Sequence, residues 1–225
     1  MLDDRIIYED NHIIVINKLP GEIVQADKTG DMCMIDELKA YLKSKYDKKG
    51  NVYLTAVHRI DRPVSGAVIF AKTSKAAARM SEIIKSRDFH KYYIAITCEK
   101  PNPISGNLKH FLLKNEKQNK SYIVAKSVKD AKETELNFQY LRSTEKYHIV
   151  EIELLTGRHH QIRVQLASVG AIIKGDLKYG AARSNPDGSI SLHAHKLVFT
   201  HPVKNEELTI IAPPPSDMKK LIDAN

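Results

Sequence analysis

The sequence predicts an α+β fold in which helices flank a mixed, mainly antiparallel central sheet. Strand-like runs that follow each other as hairpins outnumber strand–helix–strand units, and this pattern is typical of that class. At 225 residues, 42% of them hydrophobic, the chain is long enough to bury a large core. Because no repeat, low-complexity tract or linker rich in Pro, Gly or Ser divides it, we expect a single domain over residues 1–225.

The first half of the chain is predicted to contain strands and two amphipathic helices. The β-branched runs 6–8 and 13–16 indicate a hairpin, and 67–71 is an apolar run of the length of a strand buried on both faces. Apolar residues at helical spacing indicate one helix over 34–46 and another that begins at Ser74, whose hydroxyl can cap it. The run 67–71 therefore lies between the two helices along the chain.

The second half is predicted to be mainly antiparallel sheet. Strand patterns fall at 90–96, 136–140, 148–154, 193–200 and 208–211. The alternation in the second and third of these indicates a half-exposed antiparallel pair. Residues 158–170 show the helical stripe Ile162, Leu166 and Val169, with Arg163 on its border. The three prolines 213–215 mark the predicted end of the fold.

The charge balance favours a polyanionic partner. A net charge of +8 is most often matched by nucleic acid, although a basic protein without such a partner is the alternative. There is no apolar run of membrane-spanning length and no charged-then-apolar leader, so we expect a cytoplasmic protein. Cys33 and Cys98 are single and distant, which excludes a disulfide framework and a four-cysteine zinc site.

The sequence carries no metal or cofactor signature. The adjacent histidines 159–160 point to different faces, and no helical carboxylate–histidine pair accompanies them or the histidines at 193, 195 and 201. We therefore predict no metal and interpret these histidines as hydrogen-bonding or phosphate-contacting groups. The segment 155–158 lacks the glycine spacing of a phosphate-binding loop, so no nucleotide cofactor is predicted.

Asp61 lies between Arg59 and Arg62, just before the apolar strand. Pro63 disfavours the helical conformation at the preceding residue, and Ser65-Gly66 is typical of turns. The carboxylate should therefore be held on a stiff loop at the end of the sheet. From these residues alone, a structural Asp–Arg pair or a turn-capping aspartate is as good an interpretation as a catalytic group.

Two long motifs, far apart and in the same order, resemble those of a known family. The first is His-Arg-Ile-Asp-Arg-Pro-Val-Ser-Gly at 58–66 with Ala71-Lys72, and the second is Leu-Thr-Gly-Arg-His-His-Gln-Ile-Arg-Val at 155–164 with Gly175-Asp176 and Tyr179-Gly180. They resemble the RluA family of RNA pseudouridine synthases, with Ile60 and Val64 where that family usually has Leu and Thr. The likeness extends from Ile6 to Pro213. It implies an α+β fold with a central active-site cleft, and a catalytic domain without the N-terminal RNA-binding domain that many members carry.

The resemblance implies the identity of the catalytic aspartate and of its partner. Asp61 corresponds to the catalytic aspartate, and Arg163 to the arginine that pairs with it. A partly buried arginine needs an anionic partner, because an unpaired buried charge is costly. The helical pattern alone leaves Glu151 and Asp176 as possible as Asp61.

The same resemblance implies an active-site tyrosine. The family's Lys-x-Tyr-x-Ala aligns with Lys91, Tyr93 and Ala95, so Tyr93 should face the flipped base. Strand propensity alone would make both Tyr93 and its neighbour Tyr92 packing residues.

Six residues are candidate substrate contacts. Five of them, predicted to hold phosphates, are Lys18, Arg59, Arg62, Arg158 and Lys178. Lys18 belongs to a loop that resembles the family's Asn-Lys-Pro-x-Gly with one residue inserted. Leu192 corresponds to the apolar residue that the family places against the aspartate.

The activity implied by the resemblance is isomerisation of uridine to pseudouridine in ribosomal or transfer RNA. The glycosidic bond breaks, the uracil turns and carbon 5 joins the sugar, in a base flipped out of its stack. Asp61 could attack the sugar, attack the uracil ring or assist removal of a sugar proton. Two alternatives are a catalytically silent RNA-binding or ribosome-assembly protein on the same fold, and a hydrolase that uses Asp61. No protein partner is implied, and we expect a monomer.

Overall fold

The chain folds into two compact units. The computed structural model of the protein describes residues 2–26 and 30–224. One unit contains the described residues up to His90 together with Ala194–Pro213, and the other contains Lys91–His193 and the described residues from Pro214 onward. The single domain expected over residues 1–225 stays a prediction.

Four α-helices and eleven strands lie within the described ranges. The helices are α1 (Met34–Lys45), α2 (Ser74–Lys85), α3 (Gln161–Ser168) and α4 (Ser216–Asp223). The strands are β1 (Ile6–Glu9), β2 (Ile13–Lys18), β3 (Thr55–Ala56), β4 (Ser65–Ala71), β5 (Phe89–Thr97), β6 (Ser105–Asn115), β7 (Lys120–Val124), β8 (Lys132–Ser143), β9 (His148–Leu154), β10 (Leu192–Thr200) and β11 (Glu207–Ile211). The predicted α+β class with a mainly antiparallel sheet is confirmed.

In the first unit, a central strand is covered by a helix on each face. The strand order is β1-β2-β4-β10, with β3 paired to β4 and β11 paired to β10. Alternate residues of a strand point to opposite faces. Thus Ile69 of β4 joins an apolar cluster with Met80 of α2, and Phe70 joins another with Leu38 of α1. All seven residues of β4 are buried, which confirms the prediction of a strand buried on both faces.

Gly66 allows β4 to approach β10 closely. Its φ is +123°, and a Cβ atom at this position would lie 2.4 Å from the carbonyl oxygen of Ala194 and 2.5 Å from its nitrogen. We predicted a turn at Ser65-Gly66, but both residues belong to β4. The glycine is required here by a close backbone contact and a positive φ, not by a turn.

Gly66→Ala should destabilise the protein by about 3 kcal/mol, because the new methyl group must displace backbone atoms of the neighbouring strand. Gly50→Ala is a suitable control, since a Cβ atom at Gly50 would meet nothing within 4 Å. Chemical denaturation of the two variants measures the difference. Equal midpoints would show that β4 and β10 do not approach as closely as described.

The second unit is built on an antiparallel sheet in the order β5-β9-β8-β6-β7. In the β8–β9 pair, Phe138 faces Ile152 and both are buried, whereas their neighbours Asn137 and Glu153 face each other and are half-buried. This confirms the predicted half-exposed antiparallel pair. Strands β6 and β7 were not predicted, because β6 buries only Leu112 and shows no apolar alternation.

Helix boundaries differ from the prediction at three places. Helix α3 begins at Gln161 rather than 158, because His160 has a left-handed φ of 54° that a right-handed helix excludes. Helix α2 is capped by Thr73, whose hydroxyl accepts a hydrogen bond from the Ala76 N–H (3.1 Å), one residue before the expected cap. The prolines 213–215 are followed by α4 rather than by the end of the fold. Within the described residues, no helix has the length and apolar character needed to cross a membrane.

Candidate active site

Asp61 lies on a tight turn directly before β4. The Val64 N–H donates to the Asp61 carbonyl oxygen at 3.0 Å, which closes the turn 61–64. Asp61 is half-buried, while Val64 is buried at the start of the core strand. The carboxylate is therefore carried by a short loop on a rigid base, as the sequence predicted.

A second loop is interlocked with this turn. The Gly21 N–H donates to the Arg62 carbonyl oxygen (2.8 Å), and Arg62 Nε donates back to the Gly21 carbonyl oxygen (2.9 Å). Arg62 Nη1 also binds Asp31 Oδ2 at 2.7 Å, in an ion pair whose side chains are both half-exposed. Arg59 is exposed. Both predicted phosphate contacts of the turn thus remain accessible, although Arg62 already has an anionic partner.

The side chain of Lys18 connects the two loops. It is fully buried, and its Nζ donates to the carbonyl oxygens of Leu19 (2.9 Å), Arg62 (3.1 Å) and Val64 (2.8 Å). An ammonium group has three N–H donors, so all of them are used. Burial lowers the pKa of Lys18 to about 8, although Glu22 and Asp61 raise it in part. We predicted that Lys18 contacts phosphate; the structure instead gives it a loop-holding position.

Lys18→Met should destabilise the protein by about 2–4 kcal/mol, because three buried carbonyl groups lose their donor. The activity that the family resemblance implies should fall as well, since the Asp61 turn loses its support. Thermal denaturation and a turnover assay measure the two effects. Lys43→Met, at an exposed lysine of α1, should change neither.

The difference in unfolding free energy between the wild type and Lys18→Met should change with pH in one direction. Between about pH 8 and the ordinary lysine pKa of 10.5, the folded protein has released the Lys18 proton and the unfolded chain has not. The free energy of unfolding of the wild type, relative to Lys18→Met, should therefore rise with pH in this window. A fall would contradict the assigned environment of Lys18.

Arg163 forms a buried bidentate ion pair in the second unit. Its Nε donates to Asp176 Oδ2 and its Nη2 to Asp176 Oδ1, both at 2.7 Å. The side chains are only 5% and 1% exposed. The sequence left Asp61, Glu151 and Asp176 open as partners of Arg163, and the structure pairs it with Asp176. Pairing with Asp61 stays a prediction.

The two adjacent tyrosines of β5 have different environments. Tyr93 is buried and lies opposite Ile152 of β9, whereas Tyr92 lies opposite Glu153 and donates its hydroxyl hydrogen bond to that carboxylate (3.4 Å). Burial raises the pKa of Tyr92, and the Glu153 carboxylate raises it further. Leu192, the predicted apolar contact, is buried at the start of β10.

The adjacent histidines belong to a hydrogen-bonded network before α3. Their rings stack with centroids 3.8 Å apart. His159 Nδ1 lies 2.9 Å from Ser121 Oγ, and His160 Nδ1 lies 3.1 Å from the Tyr179 hydroxyl. Burial lowers the pKa of His160 far below its usual range, and the nearby Arg163 lowers it further. His160 is therefore neutral. Sequence reasoning missed the contacts of His159 with Ser121 and of His160 with Tyr179.

The remaining predicted contacts of the second unit are exposed. Arg158 is exposed, and its N–H donates to Gln161 Oε1 (3.1 Å) at the start of α3. Lys178 is exposed, and its Nζ donates to the Asn119 carbonyl oxygen (2.9 Å). Both could still meet an RNA phosphate. No group of three or more His, Cys, Asp or Glu side chains that could hold a metal ion lies within the described ranges.

The predicted site residues divide between the two units. Those of the first unit are Lys18, Arg59, Asp61 and Arg62, and those of the second are Tyr93, Arg158, Arg163, Lys178 and Leu192. In the first unit, the Lys18 ammonium fixes the turn that carries Asp61 by binding the Val64 carbonyl oxygen. In the second unit, Arg163 is fixed by its ion pair with Asp176.

Comparison with known proteins shows what the chain is similar to. Residues 12–168 match the family model described as RNA pseudouridylate synthase. The RNA pseudouridine synthase YhcT of Bacillus subtilis (strain 168) is 33% identical over 96% of this chain and 70% of that protein. Ribosomal large subunit pseudouridine synthase D of Xanthomonas campestris is 28% identical over 98% of this chain and 69% of that protein. The solved structure of human RNA pseudouridylate synthase domain containing 4 superposes with a TM-score of 0.81 at 25% identity, covering 98% of this chain and 92% of that one.

The fold, the two motifs and these relatives define an isomerase that acts on uridine in RNA. The chain belongs to the RNA pseudouridylate synthase family, because the family model matches more than half of it. The resemblance to the RluA family drawn from the two motifs is thereby confirmed.

Proposed function

We propose that this protein converts specific uridines of ribosomal RNA to pseudouridine, with Asp61 as the catalytic carboxylate. The observation that carries the proposal is the Asp61 turn, which a buried ammonium group and the core strand β4 hold in place. Catalysis requires such preorganisation of the reacting group. The name of the Xanthomonas relative supports ribosomal RNA as the substrate, with transfer RNA as the alternative.

The reaction exchanges one bond to the sugar for another. The bond between N1 of uracil and C1′ of ribose breaks and a bond from carbon 5 to C1′ forms. The carbon-5 hydrogen leaves as a proton, and N1 takes up a proton to become an N–H group. Arg163 orients the Asp61 carboxylate, and Tyr93 contacts the flipped base, as the family motifs imply. The reaction therefore needs no co-reactant. We propose that the protein acts alone, as a monomeric single domain in the cytoplasm.

Pseudouridine mapping in the ribosomal and transfer RNA of the source cells, with and without the gene, tests the proposal. We expect one or more sites to disappear on deletion and to return with the wild-type protein but not with Asp61→Asn. Identical maps in the presence and absence of the gene would refute it. If a site were lost only from transfer RNA, the substrate would be transfer RNA rather than ribosomal RNA.

The form of the substrate can be predicted separately. Flipping a base costs least where it is already unstacked, so a uridine in a hairpin loop should be modified and the same uridine in a perfect duplex should not. Release of the carbon-5 hydrogen from labelled RNA measures both rates. Equal rates would show that the enzyme opens duplexes unaided.

A further inference from the structure

Lysines are concentrated on the β6–β7 hairpin and the segment that follows it. Residues 109–132 contain seven lysines and two acidic residues, a net charge of +5 out of +8 for the whole chain. Lys109 lies 3.4 Å from Glu135, and Lys114 lies 2.8 Å from Glu116. Glu133 and Glu135 directly follow the segment, and with them the net charge of residues 109–135 is still +3, so this surface attracts a polyanion.

Two of these lysines lie close to aromatic rings. Tyr122 of β7 is 39% exposed, and Lys120 Nζ lies 5.4 Å from the centre of its ring. Lys126 Nζ lies 5.9 Å from the ring of Phe111, on the adjacent strand. Lys117, Lys126 and Lys129 are exposed. Aromatic rings interleaved with cations are typical of surfaces that bind single-stranded nucleic acid, where bases stack and phosphates are paired.

The hairpin is fixed to the segments that carry two predicted RNA contacts. The Tyr179 hydroxyl accepts from the Ser121 N–H (2.9 Å) and donates to its carbonyl oxygen (3.1 Å), so one side chain covers both backbone groups. Ser121 Oγ donates to the His159 carbonyl oxygen (2.7 Å), one residue after Arg158. Lys178 Nζ donates to the Asn119 carbonyl oxygen (2.9 Å) in the hairpin turn. The lysine-rich surface is therefore continuous with Arg158 and Lys178.

We propose that the β6–β7 hairpin and the segment up to Lys132 bind unpaired nucleotides of the RNA substrate. The exposed lysines contact phosphates, and Tyr122 stacks on a base. This inference rests on the proposed function only in that the ligand is RNA. Phosphate contacts fix the position of an RNA without reading its sequence, so this surface supplies affinity and salt dependence rather than chemistry.

The lysine contribution is tested by the triple variant Lys117→Gln, Lys126→Gln, Lys129→Gln. Its matched control is Lys43→Gln, Lys75→Gln, Lys219→Gln, which removes the same charge from exposed positions elsewhere. Binding to a short stem-loop RNA with uridines in the loop is measured as a function of salt. Three lost contacts to a single strand should lower the slope of log K against log salt by about 2, and the control should keep the wild-type slope.

The stacking contribution is tested by Tyr122→Ala against Tyr53→Ala, at a tyrosine that is 47% exposed in the other unit. Loss of one stacked base should weaken binding at least about fivefold, and Tyr122→Phe should restore it. Tyr53→Ala should bind as the wild type does.

Wild-type affinity and slope in both hairpin variants would overturn the proposal. Loss in the lysine variant alone, with Tyr122→Ala unchanged, would overturn the assignment to unpaired nucleotides. Because binding needs no turnover, these results are independent of whether Asp61 is catalytic.

Discussion

Asp61→Asn should yield a folded protein that binds RNA but forms no pseudouridine. Asparagine has nearly the same shape as aspartate but lacks the charge, so turnover should fall on the order of 10⁴-fold or more. The turn should survive, because the Val64 and Gly21 N–H groups and the Lys18 ammonium bind backbone oxygens of Asp61, Arg62 and Val64, which the substitution keeps. Release of the carbon-5 hydrogen from labelled RNA measures turnover, and thermal denaturation measures folding.

A neighbouring carboxylate provides the control for this experiment. Asp31 binds Arg62 at 2.7 Å, on the exposed side of the same pair of loops. Asp31→Asn removes one negative charge near the turn and should leave turnover within a few-fold of the wild type, since exposed ion pairs contribute little. Wild-type turnover in Asp61→Asn would remove Asp61 from the chemistry and favour a different carboxylate.

The parts of the fold that follow a clear periodicity could be predicted from the sequence. The apolar run at β4 has no polar residue on either face, and the structure covers both faces with helices. The alternation in β8 and β9 matches their half-buried pairing. By contrast, β6 and β7 alternate weakly because only Leu112 and Ser121 are buried in them. Their pairing depends on contacts across the sheet that no local pattern records.

The site was predictable in its motifs but not in its contacts. Lys18 lies in a sequence typical of a loop, and its burial depends on carbonyl groups 44 and 46 residues away. The partner of Arg163 could not be chosen either, because Asp176 reaches it only after the chain turns through Gly175, whose φ is +87°. Long-range contacts of single polar atoms decide both cases, and periodicity carries no information about them.

Arg163→Met should destabilise the protein by about 3–5 kcal/mol, because it leaves the buried Asp176 carboxylate without its cation. Asp176→Asn should cost a similar amount for the opposite reason. Arg163→Lys should rescue only part of the loss, since a lysine cannot donate two parallel hydrogen bonds to one carboxylate. Lys85→Met is the control: its ion pair with Glu82 is exposed, so its loss should cost less than about 1 kcal/mol.

Double-mutant cycles separate the structural role of Arg163 from its proposed catalytic role. Removal of both Arg163 and Asp176 should cost clearly less than the two single losses added together, because neither charge is then left buried alone. A second cycle combines Arg163→Met with Asp61→Asn. If Arg163 orients the catalytic carboxylate, the single change Arg163→Met should lower turnover by more than its stability loss explains. The stability loss of the double variant should then differ from the sum of the two single losses. Additive stability losses in this second cycle would restrict Arg163 to its pair with Asp176, and Asp61 would need another cation to orient it.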